Sequence, residues 1–490
     1  MSVFRTKPIS KLLQQASDTS HGLKRTLTAK GLIALGIGAI IGAGLFVRTA
    51  AAAAQAAGAA VTLSFVVGAI GCAFAGMCYA EFAAMLPIAG SAYTYSYVTM
   101  GEFVAWIIGW ALVLEYALGA TTVAIAWSEY LNNLFGGGIP YQWCHSFLQT
   151  SSTGVQGVVN APALIILLLV TLVLIKGIQE SAMVNAVIVL IKVAIVIAFI
   201  AIGWQYINPA NHIPLMIPAG TPGHEGFFKH GWGGVLGGAG IVFFAFIGFD
   251  AVSTAAQETK DPARDMPIGI LGSLAVCTVL YVLFGYVLTG VGKWQEFLTV
   301  GKEASVAYTI QHHMPGYGWL ATLVTVAILF GFSSVILVML LGQSRVFYSM
   351  SNDGLLPKIF SDLHPRFRTP YKSNVILFLF VGLLAGLLPG DITGDLTSIG
   401  TLFAFVLVSI GVWILRRKRA DLQRPFRTPL VPLVPILGAL VCSGMIVALD
   451  HKTQITAFLW MIIGLLIYFS YGRIHSALAK PEPASQPVAK

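Results

Sequence analysis

Apolar residues in this chain neither alternate nor keep to one helical face; they come in long runs. Stretches of about 20 residues with few charges follow one another between residues 31 and 474, the length an α-helix needs to cross a hydrocarbon core. Twelve can be placed, at 31–54, 60–86, 103–131, 161–178, 182–206, 235–257, 267–290, 319–348, 374–388, 396–416, 430–449 and 455–474. The boundary between the ninth and tenth is the least defined, because LLPGDITGD (387–395) leaves short runs on either side. The pattern predicts an all-α polytopic membrane protein.

Two of the runs differ from the rest. The first, GLIALGIGAIIGAGLFV (31–47), has glycines at 31, 36, 38, 42 and 44; the sixth, GGVLGGAGIVFFAFIGFDAV (233–252), has them at 233, 234, 237, 238, 240 and 248. Glycine weakens a helix interior and lets the backbone leave helical geometry. Small residues four apart, as in Gly38–Gly42 and Gly234–Gly238, also let helices pack closely. The clustering of glycines at mid-depth, in IGAG (41–44) and FIGFD (246–250), favours interrupted helices, five spans apart, as in carriers built from inverted repeats.

Composition agrees with the pattern. Of 490 residues, 57% are hydrophobic and 10% charged, with mean hydropathy +0.81, against about 25% charged in soluble domains. The net charge of +9 does not point to nucleic acid. With both termini placed in the cytosol, twenty-three Lys and Arg fall in cytosolic segments or at the cytosolic ends of spans, four (Lys229, Lys293, Lys302, Lys452) outside, and two (Arg48, Lys192) inside spans. This is the positive-inside bias of a membrane protein, so RRKR (416–419) and RPFR (424–427) are read as topology anchors. Residues 1–30 lack the short apolar core and cleavage site of a signal peptide, and 479–490 have linker composition. Four of five cysteines lie in apolar runs, with no CxxC or metal spacing, so neither a zinc site nor another cofactor is expected.

Several blocks resemble the amino acid–polyamine–organocation superfamily, and within it the cationic amino acid transporters and their bacterial relatives. They are IIGAGLFV (40–47), EFAAMLPIAGSAYTYSYVTMGEF (81–103), ALVLEYALGA (111–120), FIGFDAVSTAAQETKDPARDMPIGI (246–270), GQSRVFYSMSNDGLLPKIFSDLHPRFRTP (342–370) and RPFRTPLVPLVPILG (424–438). The resemblance covers about residues 22–475. It implies twelve transmembrane helices in the leucine-transporter arrangement: a cytosolic segment 1–30, a first repeat 31–206, an inverted second repeat 207–416, accessory spans in 417–475 and a cytosolic, disordered tail 476–490. Helices 1 and 6 would be discontinuous, and the protein would reside in the cell membrane.

An amino acid held at mid-membrane needs donors for its carboxylate and acceptors for its ammonium. A helix broken at Ile41–Gly44 supplies both: amides of Gly42, Ala43 and Gly44 at the start of its second half, and carbonyls of Ile40 and Ile41 at the end of its first. The sixth span would add carbonyls near Phe244, Ala245, Phe246 and Ile247. The resemblance makes Phe244 a lid, places Phe332 beside the substrate side chain, and assigns Asp250 to an inner pathway or gate.

Lys192 is the most conspicuous residue of all. It sits in LIKVAIVI (190–197), where an ammonium costs about 2.5–3.5 kcal/mol on insertion scales. Snorkelling is disfavoured at mid-span, which leaves a static salt bridge or a function. Sodium-coupled members of this fold hold sodium between the first and eighth spans, and the resemblance puts Lys192 there, with Ser333 and Ser334 as eighth-span partners. A tethered amine that can lose its proton would couple transport to a proton gradient. Glu115, midway along the third span, is a counter-charge to Lys192, a second proton site or a structural pair. Arg48 is an outer-vestibule charge or a bridge to an unidentified acid. Glu81, Glu102, Glu129, Glu258 and Arg345 fall near span ends, as do the histidines that are not in loops.

Phe332 leaves a cationic side chain without a partner, which favours small neutral or moderately apolar L-amino acids over arginine or lysine. Proton-coupled uptake leads, with amino acid exchange as its nearest rival. HExxH and GxSxG are absent, which argues against a membrane enzyme. The expected partners are an amino acid, protons and the lipid bilayer; the sequence leaves open whether a small single-span membrane protein joins them.

Overall fold

A computed structural model describes residues 5–8, 27–86, 91–151, 153–177, 182–298 and 305–479. All twelve apolar runs are helical over most of their described residues. A backbone in hydrocarbon has no water to bond, and a helix satisfies its amides and carbonyls internally. The first run forms α1 (Ala29–Ile40) and, after an interruption, α2, built from Gly44–Arg48, Thr49–Ala52 and Ala53–Ala57. There follow α3 (Val61–Met85), α4 (Ser91–Thr99), α5 (Glu102–Leu134), α6 (Ala161–Lys176) and α7 (Ala182–Gly203). The sixth run is again divided, into α8 (Gly231–Val242) and the short α9 (Ala251–Thr254). Then come α10 (Pro262–Val291), α11 (Ser305–His313), α12 (Gly318–Asn352), α13 (Tyr371–Leu387), α14 (Gly390–Lys418), α15 (Leu433–Ala448) and α16 (His451–Ile467).

Among the described residues, eight helical stretches are long and apolar enough to cross a membrane, and Ala29–Ile40, Ala161–Lys176, Tyr371–Leu387 and Leu433–Ala448 are shorter apolar helices. The protein is a multi-pass membrane protein. Its core is organised around α5, which packs against α12 and α14 and has 83% of its apolar window buried, against 22% for the stretch containing α16. α10 packs on α3 and α1. Both divided helices are therefore enclosed by the bundle.

The two ends of the chain meet on one face. The Lys7 ammonium lies 2.8 Å from an Asp353 carboxylate oxygen, and the Ala477 amide donates to the Asp353 carbonyl at 2.9 Å. Glu102 accepts from Tyr97 at 3.2 Å, from Tyr468 at 3.1 Å and from Ser476. Glu81 is gripped by Arg416 at 2.7 Å and by the Thr428 amide at 2.8 Å. These span-end carboxylates thus tie helices together. Ser476–Ala479 pack here; the remainder of the expected tail, like most of 1–30, lies outside the described residues.

One boundary moves. The LLPGDITGD segment was expected to separate two spans, yet α14 starts at Gly390 with Pro389 at its N-cap. Proline's fixed φ and missing donor suit a helix start, and Asp391 in the first turn favours the positive end of the helix dipole. Asp391 and Asp395 consequently stand one turn apart.

Candidate functional site

α1 stops where Ile41 turns extended (φ −73°, ψ 105°), and the helix resumes at Gly44. α8 runs through a tighter turn at Phe243–Phe246 and stops where Ile247 turns extended (φ −60°, ψ 137°). The two interruptions cross each other. A Cβ at Gly44 would overlap the Cα and amide of Ala245; at Gly248 it would lie 2.8 Å from the Ala39 carbonyl oxygen, at a φ of +112° that favours glycine. Each break therefore carries one glycine pressed against the backbone of the other helix. The glycines that suggested either packing or interruption do both.

Carbonyls released by the breaks are taken up by side chains. The Tyr281 hydroxyl of α10 lies 3.0 Å from the Ile40 carbonyl and 2.9 Å from that of Ala245, so one phenol links the first broken helix to the second. The Phe46 carbonyl accepts from Tyr130 of α5 at 3.2 Å and Ser305 of α11 at 3.1 Å.

Lys192 donates to the Gly38 carbonyl of α1 at 3.0 Å and is 3% exposed. Its contact with the first helix is with backbone just ahead of the break. Of the predicted eighth-span partners, Ser333 turns its hydroxyl to its own helix, donating to the Leu329 carbonyl at 2.8 Å; Ser334 is buried. Beside the amine lies a narrow crevice lined by Ile41, Phe46, Ile195, Ile328, Gly331 and Phe332. Phe332 packs near Phe46 (ring centroids 6.3 Å) and edge-on to Tyr130 (5.7 Å). Phe244, the expected lid, is buried within the same core.

Glu115 finds a different neighbour from the one suggested by its depth. It neighbours Asp250 and Thr401, and Asp250 accepts from Tyr116 at 3.0 Å. Both carboxyl groups are fully buried. Asp250 sits immediately before α9, so this pair adjoins the second break. Arg48 acquires its acids: Asp395, in direct contact, and Asp391 at 3.5 Å. The guanidinium is 2% exposed while Asp391 remains 41% exposed, so the bridge joins α2 to the start of α14 with one acid reaching outward.

Tyr281, Tyr130 and Ser305 escaped sequence reasoning. Hydroxyls within or beside apolar runs were the available signal, but their carbonyl partners exist only once two helices are broken.

A match to the amino acid permease family model extends over residues 27–473. The chain belongs to the amino acid permease family, within the amino acid–polyamine–organocation superfamily. The chain is 43% identical to the branched-chain amino acid permease BcaP of Bacillus subtilis over 97% of its own length and 99% of that protein's. It is 40% identical to the methylthioribose transporter of the same organism, over 98% and 100%. The vacuolar cationic amino acid transporter 2 of Arabidopsis thaliana is 36% identical over 91% of this chain and 69% of that protein. This permease family consists of carriers, and the protein is not an enzyme.

Proposed function

We propose that this permease takes up neutral, apolar L-amino acids together with protons by alternating access, using the inverted-repeat arrangement of twelve spans with both chain ends in the cytosol. The observation that carries the reading is the Lys192 ammonium held on a carbonyl of the broken first helix. An amine there does structurally what an alkali cation would do, and it can also exchange a proton. Because α1 ends two residues beyond Gly38, a change in the amine's charge acts on the segment that must move for the substrate to leave.

The substrate's common groups suit the crossing. Amides of Gly42, Ala43 and Gly44 at the positive end of α2 would take the carboxylate. Carbonyls of Ile40, Ile41, Phe244, Ala245, Phe246 and Ile247 surround the place for the ammonium, with Tyr281 bonding two of them until substrate arrives. The crevice of Ile41, Phe46, Ile195, Ile328 and Phe332 suits a branched aliphatic side chain. It offers a cationic side chain no acid, and Lys192 would repel one. A relative named for branched-chain amino acids supports this choice; the relatives named for cationic ones do not outweigh the lining.

Glu115 and Asp250 fit a second proton-carrying element below the second break, since adjacent carboxyls can share one proton. Arg48 with Asp391 and Asp395 fits closure of the opposite side. The test is a panel of radiolabelled L-amino acids in proteoliposomes, with and without an imposed pH gradient and with sodium replaced by choline. Leucine, isoleucine or valine should accumulate with the gradient and without sodium. Accumulation of arginine or lysine alone, or a requirement for sodium, would overturn the reading.

A further inference from the structure

Gly331 lies in the interior of α12, a helix of 35 residues, where alanine would be the better helix former. Its backbone is ordinary helix, so conformational freedom does not explain it. What does is its surroundings. A Cβ at this position would lie 2.8 Å from Lys192 Cε, 3.3 Å from Cγ and 3.5 Å from Cδ, and these are the three nearest atoms. Lys192 thus lays its stem along the bare backbone of α12 before its ammonium reaches Gly38 of α1.

We propose that Gly331 is a positioning residue for Lys192: its missing side chain is a groove that aims the amine at the Gly38 carbonyl. The eighth-span contribution at this place is then an absence of atoms. The nearest obstacle to a methyl group is the flexible end of a lysine, so the lysine would yield and the two helices would stay in place. The amine would shift by the overlap and leave its carbonyl. This inference rests on the reading of Lys192 as the coupling group. The ionisable groups on α1, α10 and α12, the helices packed on α7, include Lys30, Arg264, Asp265, Cys277, Tyr281 and Arg345; all remain in place in the variants below.

Gly331→Ala in proteoliposomes should lower pH-driven L-leucine accumulation by about tenfold or more, the scale of loss from a misplaced reacting group, while leucine counterflow falls much less. In a Lys192→Ala background the same substitution should raise Tm in detergent, because the stem is gone and alanine suits the helix. Equal losses of accumulation and counterflow, no loss of either, or a Tm decrease that persists without the lysine would each overturn the proposal. Full pH-driven accumulation by Lys192→Met would instead defeat the coupling reading, and the sign of the Tm change in the two backgrounds would still decide whether the groove holds the stem.

Discussion

At the first interruption, Ile41–Ala43 carry no ionisable side chain; an amine from α7 bonds the backbone just ahead of it and is flanked by an apolar crevice. At the second, Asp250 belongs to the broken helix and meets Tyr116 and Glu115. The backbone solutions are alike, each with a glycine pressed on the other helix. Their chemistry is opposite, a base on one side and acids on the other. Under the proposed function, a backbone crossing of this kind would supply the amino acid's acceptors and donors, while the charge recruited at each break would determine what else moves with it. Two buried groups of opposite sign, on different helices of one crossing, can respond to protons at different stages of a cycle.

The comparison can be broken at several points. The largest effect on stability should come from Arg48→Gln, which strips two carboxylates of their partner. Removing one side of a buried ion pair costs about 3–5 kcal/mol, and the exposure of Asp391 puts this case at the lower end. Thermal unfolding in detergent would show it, and restoration by Asp395→Asn would tie it to the bridge. Next, Gly44→Ala and Gly248→Ala should each destabilise by about 1–3 kcal/mol, the range for overfilled packing, with leucine binding lost in both. Binding that survives in one variant would show that only the other break holds the substrate. Tyr281→Phe leaves two buried carbonyls without their donor and should cost about 1–3 kcal/mol. If a substrate ammonium replaces that hydroxyl, added leucine should recover part of the Tm loss.

A smaller effect separates the crossing from the loops. His145 lies 3.1 Å from Glu129; burial alone would lower its pKa, but the Glu129 carboxylate and the Tyr141 carbonyl outweigh that and raise it. Folding therefore favours the charged ring. Its stabilising contribution is complete below the unfolded value, about pH 6.5, and fades as pH rises through the higher folded value. His145→Gln should flatten the Tm–pH profile in that window while leaving pH-driven uptake intact. Loss of coupling in this variant would place a coupling group in the loop.

The span pattern was legible because hydrocarbon permits only a long apolar run, and the interruptions because glycines clustered at the same depth in two runs. Lys192 was legible for the same reason: an amine in hydrocarbon is conspicuous. A first-span carbonyl and a serine hydroxyl were the expected partners; the carbonyl is Gly38, whose position the sequence could not single out, since a carbonyl has no letter there. Ser333 satisfies itself within its helix. Depth along a span left three readings open for Glu115, because it does not say which way α5 is rotated; the structure brings this carboxyl beside Asp250. LLPGDITGD was read by its breakers, whereas proline and glycine there begin a helix and line up the acids for Arg48.

The most direct measurement is leucine accumulation in proteoliposomes containing Lys192→Met, under an inward proton gradient, alongside leucine binding to the same protein. The account predicts that binding persists and gradient-driven accumulation is abolished. Full accumulation with the amine removed would contradict it.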